Sequence, residues 1–232
     1  AFATLLAEWS GLIFAVWLAR DVLGVALRPA LARLGDRLAL RRMFTASRDI
    51  MIRTVLLQLC FTTFIFLGAR EGDVTLAANQ VLLQFLEITA YALDGFAIAA
   101  ETLVGQAVGA RALAPLRQAT RISMQWGFGG AALMSVAFLI AGGPIIDLMT
   151  TAPDVREAAR HYLPWLIAAP LIGVASWIYD GIFIGALMTR EMLRAMFLSV
   201  LLYTLAVVAL PLAMGNHGLW AALMVLNAAR GL

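Results

Sequence analysis

An amide and three carboxylates recur every seven residues in the apolar stretch QVLLQFLEITAYALDGFAIAAETLVGQ: Gln80, Glu87, Asp94 and Glu101. Seven residues turn a helix nearly twice, so the four share one face, with neighbours about 10 Å apart along the axis. Gln84 and Tyr91 fall on the same broad side. An acid in the middle of a membrane span costs roughly 2.5–3.5 kcal/mol, so this face is expected to look into a cavity or onto partner groups. There a carboxylate attracts a cation when charged and loses that attraction when protonated, which is the elementary step of ion-coupled transport. Asp94 lies nearest the middle and is the first candidate for such an acid, with Glu87 in support. Glu101 lies near one end and close to Arg111, where an acid also serves to hold helices together.

A second acid repeats the local context. DGFAIAA at 94–100 is echoed by DGIFIGA at 180–186, which brings in Asp180 and hints at an internal repeat. Apolar and aromatic neighbours, among them Phe85, Phe96, Trp177 and Tyr179, offer an adaptable wall or plain helix packing. The same acids admit a purely structural use, in which Arg53 or Trp, Tyr and Asn donors bind them and join helices.

The elements that position these residues follow from composition. Of 232 residues, 62% are hydrophobic and 13% charged, and the mean hydropathy is +0.89. A soluble domain has about 45–50% apolar and about 25% charged residues, so an all-α, polytopic transmembrane bundle is expected. Apolar runs near 1–19, 48–68, 75–108, 122–148, 160–187, 193–213 and 217–232 give about seven spans. The long 75–108 run is expected to tilt or bend, and Pro164 and Pro170 to kink the 160–187 run. The chain begins and stops within apolar runs, so it reads as a fragment whose first and last helices are incomplete.

Between the first two spans lies a basic connector. Leu27, Leu31, Leu34 and Leu38 form one stripe while Arg28, Arg33 and Arg37 take other faces, as in a helix lying on an anionic membrane surface. Thr45, Ser47 or Asp49 is expected to cap the next span. With the connector cytoplasmic, the loops on that side hold Arg111, Arg117, Arg121, Arg190, Arg194 and Arg230 as well as the connector's own arginines. The other side holds only Arg70, Arg156 and Arg160. The positive-inside rule then fixes the orientation. Three segments result: residues 1–20, a first apolar span; 21–47, the connector; and 48–232, the remaining spans.

Several function classes are weakened. Cys60 is the single cysteine, so no internal disulfide is possible. His161 and His217 stand far apart, and no HExxH, GxSxG or Ser/Lys motif occurs, which leaves a membrane-embedded enzyme as the weaker alternative. No catalytic residue, metal ligand, cofactor or nucleic-acid partner is expected.

The stretches AANQVLLQFLEITAYALDGFAIAAETLVGQAVGAR (77–111) and WIYDGIFIGALMTRE (177–191) resemble the multidrug and toxic compound extrusion (MATE) family, in particular its DinF-like (DNA-damage-inducible F-like) branch. The resemblance implies twelve helices in two six-helix lobes, exporting cationic or amphipathic compounds in exchange for protons or sodium. This chain would be the sixth helix, the inter-lobe connector and the C-terminal lobe, lacking its N-terminal partner lobe. In other branches acids of the seventh and tenth helices bind cations. Here the corresponding helices offer Gln58 and Asp180. The candidate ion- and substrate-binding set is therefore Asp94, Glu87, Asp180, Glu101, Gln84, Tyr91, Tyr179 and Gln58, with membrane lipids and a small cationic or amphipathic molecule as partners. A lipid-linked oligosaccharide flippase of related plan is the transporter alternative, and it would line its cavity with arginines.

Overall fold

The computed structural model describes the backbone of residues 2–33 and 36–231, with side chains at 4–20 and 36–231. Among the described residues all regular structure is helical: α1 (Phe2–Arg33), α2 (Arg37–Gly68), α3 (Asp73–Gly109), α4 (Leu113–Met149), α5 (Pro153–Gly185), α6 (Thr189–Met214) and α7 (Asn216–Arg230). A 3-10 turn, Ala69–Glu71, joins α2 to α3. Five of these helices, α2 to α6, are long and apolar enough to cross a membrane. The chain is a multi-pass membrane protein. Seven spans were expected, and five helices meet this measure among the described residues.

The helices outrun the apolar segments that announced them. α4 begins at Leu113 with Pro115 in its first turn, and α5 begins on Pro153, positions where a missing N–H costs no hydrogen bond. α3 runs unbroken for 37 residues, and α5 is assigned as one helix through Pro164 and Pro170. The start of α2 also differs from expectation. Asp36 Oδ1 accepts the Leu38 and Ala39 N–H groups at 2.9 and 3.2 Å, so the cap lies upstream. Thr45, Ser47 and Asp49 are interior to the helix. Asp49 is buried, accepts Arg48 at 2.8 Å and faces the Thr189 hydroxyl at 3.5 Å. Of the connector stripe, Leu38 is exposed, whereas the side chains of Leu27, Leu31, Arg28 and Arg33, and Leu34 altogether, lie outside the described residues.

The chain falls into two compact units, Ala1–Thr45 and Ala46–Leu232. In the first, residues 4–18 of α1 are exposed within the unit. In the second, α5 is the centre and packs on α3, α4, α6 and α7. Its contact with α3 depends on glycine. A Cβ on Gly181 would overlap the Ala97 carbonyl, and one on Gly185 the Glu101 carbonyl. Such small-residue seams let membrane helices approach backbone to backbone, where dispersion and Cα–H contacts replace a hydrophobic drive.

α7 is apolar on nearly every side because neighbours surround it. Trp220 is fully buried and meets Phe64 edge-on at 5.0 Å. The outer end of α7 is held by a reciprocal amide pair, Asn79 with Asn216 at 2.7 and 3.0 Å, and the Trp220 indole donates to Asn79 Oδ1 at 2.9 Å. Beside it the Trp165 indole donates to His217 Nδ1, which leaves the ring proton on Nε2, facing His161 Nε2 at 2.9 Å. On the opposite side of the unit two turns close alike. Ala112 donates to Ala107 O at 3.0 Å and Met188 to Phe183 O at 2.8 Å, with Arg111 and Leu187 in the left-handed region at φ 54° and 58°.

The glycine seam yields a first expected outcome. Gly181→Val should lower the stability of the detergent-solubilised protein by about 1–3 kcal/mol or more through overpacking. Gly95→Ala, at a position with open space around it, should be neutral or stabilising. Thermal unfolding of the two variants side by side checks the contrast, and equal midpoints would remove the seam from the account.

Candidate functional site

The heptad stripe of α3 forms one wall of a cavity of about 420 Å³. Gln80, Gln84, Glu87 and Tyr91 line it from α3, together with Thr54, Gln58 and Phe61 from α2, Trp177 from α5, and Asn227 and Arg230 from α7. Its volume lies within the roughly 300–1,000 Å³ of small-ligand sites. The lining mixes neutral amides with one carboxylate and one guanidinium, over an apolar base of leucine and phenylalanine. Glu87 has no hydrogen bond or ion pair among the described residues, and its side of the cavity is open.

At one end of the cavity stands a charge cluster drawn from three helices. Asp180 Oδ2 on α5 accepts Arg53 of α2 and, at 2.7 Å, Arg230 of α7. Arg230 is 5% exposed in its side chain and Arg53 16%, so neither guanidinium is left to water. Arg230 Nη1 also reaches Asn227 Oδ1 at 3.4 Å. The two charges attract a single oxygen because a buried cation without an anion is far less stable than a paired one.

Asp94 belongs to neither group, yet it stands beside both. It is exposed, and the charges of Asp180 and Arg53 act on it. The glycine seam explains why. Gly181 meets Ala97 and Gly185 meets Glu101 on two helices that run the same way, so Asp180 sits level with Phe96, within about 3 Å of Asp94 along the axis. The sequence echo therefore ends with its two acids at one depth.

The expected site residues thus separate. Gln58, Gln84, Glu87 and Tyr91 meet at the cavity, and Asp94 follows Glu87 on the same face. Asp180 is engaged by two arginines. Glu101 is half-buried with its backbone against Gly185, and Tyr179 packs on Phe183 at 6.2 Å, away from the cavity. Arg230, counted among the cytoplasmic loop arginines on sequence grounds, is instead buried at the cavity's edge and paired with Asp180. Gln80 lines the cavity as its place on the stripe implies, whereas Asn227 and Thr54 were not foreseen as lining. Asp147 pairs with Arg160 at 2.5 Å across the outer ends of α4 and α5.

This arrangement can be set against known proteins. The MatE family model matches residues 50–210. The chain belongs to the MatE family. It is 40% identical over 233 aligned residues to "DNA damage-inducible protein F" of Escherichia coli K12, an alignment that takes in all of this chain and 50% of that protein. "Protein DETOXIFICATION 42" of Arabidopsis thaliana is 25% identical over 180 residues, 76% of this chain and 34% of that one. The chain therefore spans half or less of the length of the curated relatives it matches. Among solved structures, a mutant of the Vibrio cholerae MATE transporter VcmN superposes with a TM-score of 0.76 at 18% identity, covering 94% of this chain and 52% of that one. A MOP superfamily transporter from Pyrococcus furiosus gives 0.74 at 19% identity, over 82% and 42%. These structures share the fold with the MatE chain, and the family assignment removes the membrane-enzyme alternative.

The MatE charge cluster carries a second expected outcome. Asp180→Asn leaves two buried guanidiniums facing each other and should cost about 3–5 kcal/mol, whereas Arg53→Gln leaves the Asp180–Arg230 pair and should cost less. Pairing Asp180→Asn with Arg230→Gln should recover part of the loss. Unfolding midpoints of the three variants in detergent test that ranking, and additive losses in the double variant would contradict it.

Proposed function

We propose that residues 48–232 form the C-terminal lobe of a secondary active exporter, with 1–20 the last helix of an N-terminal lobe and 21–47 the cytoplasmic connector. The exporter resides in the plasma or inner membrane and expels cationic or amphipathic compounds in exchange for protons or sodium, without a cofactor. The observation that carries this reading is the amide-rich cavity with an unpaired carboxylate, Glu87, on its wall. Names among the relatives support it, since the Arabidopsis proteins are called detoxification proteins and one matching structure is described as a multidrug resistance MATE family transporter. Export is favoured over flipping of lipid-linked oligosaccharides because the cavity lining holds a single arginine among its amides.

In this reading Glu87 receives the cationic group of the compound, with Gln58, Gln84 and Tyr91 shaping the site around it. Asp94, about 10 Å further along the stripe, exchanges the coupling ion. Rocking of the two lobes exposes the cavity to one side and then to the other, and binding of compound or ion shifts that balance through differential affinity.

The two acids are expected to fail differently. With both lobes present, Asp94→Asn should reduce gradient-driven export of a fluorescent cation at least tenfold while leaving equilibrium binding of that cation within about threefold. Glu87→Gln should weaken binding itself by about tenfold, the effect of losing one charge-assisted contact. Transport in proteoliposomes and binding in detergent separate the two readouts. Undiminished export by both variants would sink the proposal.

A further inference from the structure

At the α7 end of the cavity, hydrogen-bond donors outnumber acceptors. Arg230 and Arg53 converge on a single oxygen of Asp180. Of the five N–H groups of the Arg230 guanidinium, the protein engages one at Asp180 and one at Asn227 Oδ1. Asn227 is 2% exposed, and its amide Nδ2 has no hydrogen-bond partner among the described residues. An unpartnered buried amide is uncommon, since a buried donor without an acceptor costs on the scale of a full hydrogen bond. Both side chains border the cavity. Asp94 balances part of the charge on Arg53 from the α3 side, but it does not line the cavity and leaves Arg230 and Asn227 to face it.

We propose that Arg230 and Asn227 form a carboxylate-accepting subsite, so that the cavity is built for zwitterionic amphiphiles. The cationic group lies at Glu87 on α3, and the carboxylate of the same molecule lies at Arg230 and Asn227 on α7. A carboxylate has two acceptor oxygens, one for a free guanidinium N–H and one for the amide, and it fills the vacant donor capacity that Asp180 leaves. An apolar body between the two ends rests on Leu83, Leu86 and Phe61. The inference deepens the export reading by naming the substrate class, and rests on it for that purpose alone.

The test uses a matched pair of probes: rhodamine B, which carries a cation and a carboxylate, and its methyl ester, which carries the cation only. Binding is read by fluorescence anisotropy on the purified protein with both lobes present, and transport of both probes is read in proteoliposomes. Wild type should bind the zwitterion about tenfold more tightly than the ester, or about 1.4 kcal/mol. Arg230→Gln should bring that ratio within about twofold of unity, and Asn227→Leu, which keeps the charge cluster, should reduce it in the same direction if Arg230→Gln does not fold. Equal affinity of wild type for the two probes, binding of neither, or a preference that survives both substitutions would overturn the subsite. A preference for the zwitterion without transport of either probe would support the subsite and count against export. Transport of the ester with no such preference would do the reverse.

Discussion

The closeness of α5 to α3 is the constraint from which the rest of the lobe follows. Helices with ordinary side chains at a contact stand about 8–10 Å apart. Gly181 and Gly185 have no Cβ, and the Ala97 and Glu101 backbones occupy the space a Cβ would take. With the two helices locked at that crossing, their relative height is no longer free. Asp180 is brought level with the Asp94 region. Glu87 stands two turns further along α3, level with Leu171 of α5, and a cavity that Trp177 also lines opens there between α2, α3 and α7. A larger residue at either glycine would shift this register and the separation of every charge described above.

The second constraint is the anchoring of α7. Its outer end is pinned by the Asn79–Asn216–Trp220 hydrogen bonds. From there the helix runs about 22 Å to Arg230, whose side chain is buried beside Asp180. A guanidinium at that depth needs an anion, and Asp180 is the acid that the α3–α5 seam has already placed there. Arg53, entering from α2, completes the cluster. Three helices are thus joined by one carboxylate oxygen.

How legible was this beforehand? The heptad of Gln80, Glu87 and Asp94 was readable because a helix converts spacing directly into a face, and that face does border the cavity. The class of fold was readable from hydropathy and the arginine distribution. The partners of Asp180 were not, since Arg53 and Arg230 lie 127 and 50 residues away and no local pattern couples them. The same distance in sequence hid the contact between His161 and His217. Asp36 was different. It stood in view as an N-cap residue before a helical run, but the polar connector drew attention to the later Thr45, Ser47 and Asp49. Composition gave the apolar core of each span and missed its amphipathic ends, which is why α4 and α5 begin earlier than their apolar runs.

If the proposed ion exchange takes place at Asp94, these constraints would also bear on how a proton or sodium ion there is felt by a compound in the cavity. Asp94 does not touch the cavity, but its charge acts on Arg53. Arg53 shares the Asp180 oxygen with Arg230, and Arg230 lines the cavity. Neutralising Asp94 strengthens the pull of Asp180 on Arg53, because one of the two acids competing for that guanidinium is gone. The balance at Asp180 then moves toward Arg53, and Arg230 is freed to act on whatever lies in the cavity. Coupling of this kind needs no long pathway, since each step is a charge adjacent to the next in a medium where charges are poorly screened. Asp94, Asp180, Arg53 and Arg230 sum to zero while both acids are charged, so neutralising Asp94 leaves one positive charge in excess at the cavity's edge.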